Sequence, residues 1–347
     1  MTDIELWLAL SICKIPFKKI RDRLEDTEFL EFLVKEFCDK SNLLKLDKKV
    51  KSTIEFAEKN NVELIPYFSK KYPDNLKHLN DPPILLYCKG NVNLLKSEKM
   101  LSIVGSRRAT AYGKSQVIEF SKQLSSFGFT IVSGLARGID EYAHRSCLEV
   151  GGKTIAVLGN GLDIFYPTEN RELQIEISEM GLLVSEYSFK EGPTPYSFPK
   201  RNRIIAALSK GTLVVEAEKK SGALLTAGFS LDLGRDIFSL PGPVNSPKSF
   251  GTNTLIRNGA ILVRSFEDIL DEFGYTIVKE NYKLEQLEIL TPYEERVLSC
   301  LNSISYTPFE LISSKIEDLE PQDLILILTE LALKNKIVEF GGSYKIL

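Results

Sequence analysis

The sequence predicts an α/β fold: a Rossmann-like, doubly wound, mainly parallel sheet. A small helical N-terminal domain and a C-terminal winged-helix-like domain flank it. Three observations carry this expectation. Short β-rich runs recur at residues 101–104, 130–132, 154–158, 182–184, 212–215, 237–240 and 261–263. Helical segments lie between most of them, at 115–127, 141–149, 170–179, 204–209 and 224–233. The strands are apolar on both faces, as the buried strands of a parallel sheet are.

Taken in chain order, residues 1–64 place Leu, Ile and Phe at three- and four-residue spacings with Asp, Glu and Lys between them, the pattern of amphipathic helices. This suggests a SAM-like or helix-hairpin-helix-like domain. Its stretch Ala9-Leu-Ser-Ile-Cys-Lys-Ile-Pro16 lacks the glycine expected of a helix-hairpin-helix DNA contact. A proline-rich connector follows, with Tyr72-Pro73 and Asp81-Pro82-Pro83. Residues 65–273 form the Rossmann-like domain, and the charged stretch 274–288 reads as a linker. Residues 289–347 read as three helices and a hairpin, Ile337–Phe340 and Ser343–Ile346, turned by Gly341-Gly342. That end carries nine Asp/Glu against five Lys/Arg, and its last helix, roughly 321–335, has Asp323 and Glu330 against Lys334. Such a sign repels phosphate, so a protein-contact or regulatory role is expected there, not duplex reading.

Composition bounds the function. The chain has 347 residues, 43% hydrophobic and 26% charged, which is enough for more than one globular domain. No apolar run approaches the roughly 20 residues of a membrane span. The opening Met-Thr-Asp-Ile-Glu-Leu-Trp has no basic segment leading into an apolar one, so a cytoplasmic protein is expected. Five cysteines are far apart, without a Cys-x-x-Cys pair, and there are two histidines, His78 and His144. Neither a disulfide framework nor a metal site is expected, and no cofactor. Net charge is −3, so a nucleic-acid site needs locally concentrated cations. Arg107-Arg108 and Lys200-Arg201-Asn202-Arg203 are two such concentrations. A third basic run, Lys45, Lys48, Lys49 and Lys51, reads as a solvated helix face.

In a doubly wound sheet, ligands sit beyond the carboxyl ends of the strands. The loops there are Gly105-Ser106-Arg107-Arg108, Ser133-Gly134-Leu-Ala-Arg137-Gly138, Gly159-Asn-Gly161, Glu216-Ala-Glu218 and Ser221-Gly222…Thr226, with Gly251-Thr252-Asn253 later. Glycine lets backbone approach closely, and Ser, Thr and Asn add small hydrogen-bonding groups. The segment Phe198-Pro-Lys-Arg-Asn-Arg-Ile-Ile-Ala206 adds cations where Pro199 favours a helix start, and helix N-termini suit phosphate. A solvated basic helix end would show the same pattern. A series of such loops at one edge points to a phosphate groove.

Three other motifs are weaker. Gly113-Lys114-Ser115 resembles the end of a P-loop, but Arg108 stands where its first glycine belongs. Gly159-Asn-Gly161 lacks the third glycine of a dinucleotide fingerprint. Asp140, His144 and Cys147 share one helix face, which suits a nucleophilic triad or, more simply, packing against the sheet.

In this order, the loops resemble the DNA-processing protein A family (DprA, also called Smf). The resemblance runs from about residue 65 to 263. It rests on Tyr72-Pro73…Asp81-Pro82-Pro83, Val104-Gly-Ser-Arg107, Ser133-Gly-Leu-Ala-Arg-Gly-Ile-Asp140, Gly161-Leu-Asp-x-x-Tyr-Pro167, Phe198-Pro-x-Arg-Asn-Arg203, Ser221-Gly-Ala-Leu-x-Thr-Ala227, Pro241-Gly242 and Gly251-Thr-Asn253. It implies a homodimer, not an enzyme, that binds single-stranded DNA without sequence preference, protects it and promotes loading of the RecA recombinase in natural transformation. By motif, the expected DNA- or phosphate-binding residues are Gly105, Ser106, Arg107, Ser133, Gly134, Arg137, Gly138, Lys200, Arg201, Asn202, Arg203, Ser221, Gly222, Thr226, Gly251, Thr252 and Asn253. Arg137 either contacts DNA or pairs with Asp140. Phe165, Tyr166, Tyr196 and Phe198 are candidate stacking rings. The alternative is a phosphoribohydrolase-like nucleotide enzyme acting through Glu216, though Leu213-Val-Val215 precedes it in place of a glycine-rich run.

Overall fold

A computed structural model describes residues 2–38, 43–275, 292–302, 305–316, 319–333 and 336–346. The chain divides into two compact units, Met1–Tyr275 and Thr276–Leu347.

The first unit opens with three helices, α1 (Asp3–Ile12), α2 (Thr27–Phe37) and α3 (Leu43–Lys59). Thr2 and Glu5 close a capping box on α1, and Asp26 accepts from the Phe29 amide at 2.9 Å to cap α2. Leu6, Trp7, Leu8 and Leu10 bury α1 in a core shared with Leu85 and Tyr87 of the sheet. Each buried leucine contributes roughly 1.5–3 kcal/mol, so these helices are held by the sheet as well as by one another.

The strands and helices that follow are β1 (Val62–Pro66), α4 (Asp74–Lys77), β2 (Leu85–Gly90), β3 (Met100–Val104), α5 (Ala111–Ser126), β4 (Thr130–Ser133), α6 (Ile139–Glu149), β5 (Lys153–Leu158), α7 (Arg171–Met180) and β6 (Leu182–Ser185). Then come α8 (Ser197–Leu208), β7 (Gly211–Val214), α9 (Gly222–Asp232), β8 (Asp236–Ser239), α10 (Phe250–Arg257), β9 (Ile261–Leu262) and α11 (Phe266–Glu272). The nine strands lie in the order β1-β2-β6-β5-β4-β3-β7-β8-β9. Strands β3 to β9 are parallel, and β1 and β2 add antiparallel strands at one edge. Ile103, Ile131, Val157, Val184 and Leu213 are fully buried, as strands covered on both faces require. The winding reverses between β3 and β7, which opens a crevice beyond their carboxyl ends.

All seven expected parallel strands are present, within a residue or so at each end. Strands β1 and β2, which were not expected, flank the proline-rich connector, whose Tyr72-Pro73 and Asp81-Pro82-Pro83 lie between them. Pro66 ends β1, an edge strand, where a missing N–H is tolerated. The boundary expected at 64/65 falls inside β1. Helix α8 begins at Ser197, earlier than the apolar run suggested, and Pro199 sits in its first turn without losing a hydrogen bond.

The second unit contains α12 (Pro292–Ser299), β10 (Thr307–Pro308), α13 (Phe309–Lys315), α14 (Pro321–Leu333), β11 (Ile337–Phe340) and β12 (Ser343–Ile346), with strand order β10-β12-β11. Gly341 and Gly342 turn the hairpin at φ +59° and +75°, values glycine adopts without strain. Val297, Ile312, Leu324, Leu328 and Leu331 form its core. Most of the expected linker, and Lys334, lie outside the described residues.

Candidate nucleic-acid interface

The crevice at the switch point is a groove of about 830 Å³. Its walls are the loop after β3, the start of α8 and the start of α9. Ser106 Oγ donates to the Arg108 carbonyl at 3.0 Å and accepts from the Arg108 amide at 3.2 Å, which curls the first loop. Lys248 Nζ donates to the same oxygen at 2.9 Å and pairs with Glu218 at 2.6 Å. Gly138, at φ +78°, lies directly beneath this loop, where a Cβ would collide with the Ser106 carbonyl oxygen. Gly105 likewise lets Ile139 approach; a Cβ there would sit 2.7 Å from its side chain. The loops after β3 and β4 are therefore stacked backbone to backbone.

Arg107 is exposed, and its guanidinium lies over the Phe198 ring at 5.4 Å. Phe198 in turn packs on Tyr166 at 5.4 Å, and both rings line the groove. Gly159 makes room for Phe198, since a Cβ there would lie 2.9 Å from the ring. Phe165 is elsewhere, under Arg171 at 4.9 Å. Ser221 caps α9 by accepting from the Ala223 amide at 3.3 Å, Asn202 donates to the Gly222 carbonyl at 3.3 Å, and Thr226 lies on the floor.

The expected cation cluster divides. Helix α8 sends Phe198, Arg201, Asn202 and Ile205 to the groove and Lys200 and Arg203 to the other side, where they line a second cavity. Arg201 is only 4% exposed. Its Nη1 donates to the Gly134 carbonyl at 2.7 Å and also to that of Val157, and its Nε donates to Asn202 Oδ1 at 3.1 Å. Burial lowers its pKa to about 10, against the pull of Asp140. Arg203 is 7% exposed and pairs with Glu186, whereas Lys200 is exposed and lies 3.6 Å from the same carboxylate.

Several other expected contacts have structural partners instead. Ser133 is fully buried and donates to the Ile103 carbonyl at 2.6 Å, pinning β4 to β3. Arg137 is exposed and pairs with Glu169, not with Asp140. Asp140 accepts from the Gly134 amide at 3.2 Å; burial raises its pKa and Arg201 opposes that rise. Gly134 is needed because a Cβ would lie 2.5 Å from Arg201. Gly251, Thr252 and Asn253 lie outside the groove. The Gly251 amide donates to Ala217 at 2.7 Å, the Thr252 hydroxyl to Ser249 at 3.1 Å, and Asn253 exchanges two bonds with Gly242. These three residues anchor α10 to the neighbouring loops.

Lys248 was not among the expected contacts, whereas Arg108, expected as part of a cation pair, also lines the groove. Lys248 lies in a small-residue loop with no cationic neighbour in sequence, and 142 residues separate it from the serine it binds. Glu216 is buried, and both of its oxygens are engaged by Thr110, the N-cap of α5, its amide at 3.1 Å. Gly113 packs against that carboxylate. No triad forms around His144. Thr154 Oγ1 donates to the Ile131 carbonyl at 2.8 Å, so His144 Nδ1 is the donor in their 2.7 Å bond. Burial lowers the His144 pKa to about 3 and raises that of Cys147 to about 11. Among the described residues no cluster of three metal-ligating side chains occurs, and no helix is long and apolar enough to cross a membrane.

Fold and groove place the chain among the doubly wound α/β proteins, with an open crevice at the topological switch point, where such folds take their ligands. Its family follows from comparison with known proteins: residues 63–274 match the DNA recombination-mediator protein A family, and the chain belongs to it. It is 39% identical over 305 residues to protein Smf of Escherichia coli K12, covering 86% of this chain and 80% of that one. It is 46% identical over 204 residues to DNA processing protein DprA of Streptococcus pneumoniae, 59% of this chain and 72% of that one. A crystal structure of the S. pneumoniae protein matches with TM-score 0.69 and 35% identity, over 78% of this chain and 99% of that one. The DNA processing protein A of Helicobacter pylori, in a structure describing its single-stranded DNA binding mode, matches with TM-score 0.56 and 33% identity, over 62% and 97%.

Proposed function

We propose that this protein binds single-stranded DNA in the groove without sequence preference, protects it, and promotes its transfer to the RecA recombinase during transformation and recombination. It acts as a homodimer and catalyses no covalent step. The observation that carries this reading is Arg107 over Phe198, which packs on Tyr166, in a groove lined by loop backbone, Arg108 and Lys248. Cations serve any phosphate, and ring faces serve any base, so the site offers affinity without a base code. The H. pylori relative and the recombination-mediator family support the same reading. The acidic 289–347 segment is the protein-contact or regulatory part.

Anisotropy of labelled oligo-dT against salt tests this. Wild type is expected to bind with a log–log slope of about −0.7 per neutralised phosphate. Arg107→Ala is expected to weaken binding about tenfold, through one phosphate contact and one stack. Lys248→Ala is expected to flatten the slope by about 0.7. Wild-type affinity in both variants would place the DNA elsewhere.

A further inference from the structure

We propose that the bound strand continues from the groove across α8 into the second cavity, so that the N-terminal helices form part of the DNA path. This rests on the groove being the DNA site. The cavity, of about 870 Å³, lies between α1, α3 and the loops after β6. Thr194 lines both the cavity and the groove, and Tyr196, 86% exposed, stands at the cavity rim beside it.

Five cations line the cavity: Lys14, Lys49, Lys190, Lys200 and Arg203. Three carboxylates face them: Asp81, Glu186 and Glu191. Two of the three are neutralised in place, Glu186 by Arg203 and Lys200, and Glu191 by Lys14 at 2.6 Å. Among the described residues no carboxylate pairs with Lys49 or Lys190. The cavity is therefore net cationic, in a chain whose net charge is −3.

Arg203 adds a second, independent observation. It is more than nine-tenths buried, yet its Nε and Nη1 have no hydrogen-bond partner, and neither has Glu186 Oε1. Buried donors left unserved are costly, and a phosphate oxygen is the acceptor a guanidinium suits best. The basic run of α3 also finds a place. Lys49 is on the cavity wall, and Lys45 and Lys49 continue along an adjoining smaller hollow. A lone small anion would satisfy Arg203, but a lysine track and a wall shared with the groove suit a polyanion.

The test compares full-length wild type with the double variant Lys49→Gln/Lys190→Asn. Both lysines are exposed, and Asn suits the φ of +62° at position 190. Binding is measured on oligo-dT of about six and about twenty nucleotides, near the short end of typical single-strand sites and beyond their long end of roughly 16. The variant is expected to bind the long strand about five- to tenfold more weakly, with a salt slope lower by about 0.7 per lysine. It is expected to bind the short strand as wild type does. An unchanged long-strand affinity, or equal weakening on both lengths, overturns the inference while leaving the groove as the DNA site. A wild type that binds neither length removes the groove reading and this inference together.

Discussion

Arg201 and Arg203 are two residues apart in one basic run, yet the structure gives them different roles. Arg201 bonds the carbonyls of Gly134, just beyond β4, and of Val157, near the end of β5, and Arg203 neutralises Glu186 on the other side of the helix. The run itself was legible as a helix start that collects cations. The division was not, because it depends on which helix face meets the sheet. Ser133 shows the same limit: its motif placed it at the site, but its hydroxyl points back to β3. His144 is buried and neutral, so its titration couples folding to pH. Its folded pKa, about 3, lies below the roughly 6.5 of an unfolded histidine. The unfolded chain therefore takes up the extra proton, and stability is expected to fall by about 1.4 kcal/mol per unit as pH drops from about 6.5 toward 3. Asp140, with its raised pKa, opposes that loss at the acid end of the window. Denaturant unfolding of His144→Gln across this range should show a shallower decline than wild type; parallel curves would refute the assignment.

At the scale of elements, the strand–helix alternation was readable because buried parallel strands leave uninterrupted apolar runs, as in Leu101–Val104 and Thr154–Leu158. Strands β1 and β2 were obscured by Pro66, which closes β1 and is tolerated because β1 lies at the edge, and by Pro82-Pro83, which come just before β2 begins. Likewise, nothing near Lys248 in sequence shows that it meets Ser106; only the crossing from β8 to α10 brings it there. The stacked loops after β3 and β4 give this scale its prediction. Gly138→Ala must bear a positive φ and a collision with the Ser106 carbonyl. It is expected to cost about 1–3 kcal/mol in stability. By pushing the loop outward, it should also weaken oligo-dT binding while Arg107 itself is untouched. A variant with wild-type melting and wild-type affinity would show that the loops are not coupled.

Across the whole molecule, the division at Tyr275 separates the groove from the acidic C-terminal unit. All groove residues lie in the first unit, so a chain truncated after Tyr275 is expected to fold and to bind oligo-dT within about threefold of full length, since no groove contact is lost. A large loss of affinity would instead make residues 276–347 part of the DNA site. The acidic balance of that unit was plain from composition, whereas the shared core of α1 with Leu85 and Tyr87 required the fold. Arg201 has a last consequence at this scale. A buried guanidinium holding two strand ends together fixes the groove floor before any ligand arrives. On the DNA-binding reading proposed above, the entropy lost on association falls on the strand, which adapts to a floor already set. A floor set in advance would accept any strand able to follow it, in keeping with the absence of sequence preference proposed for the groove.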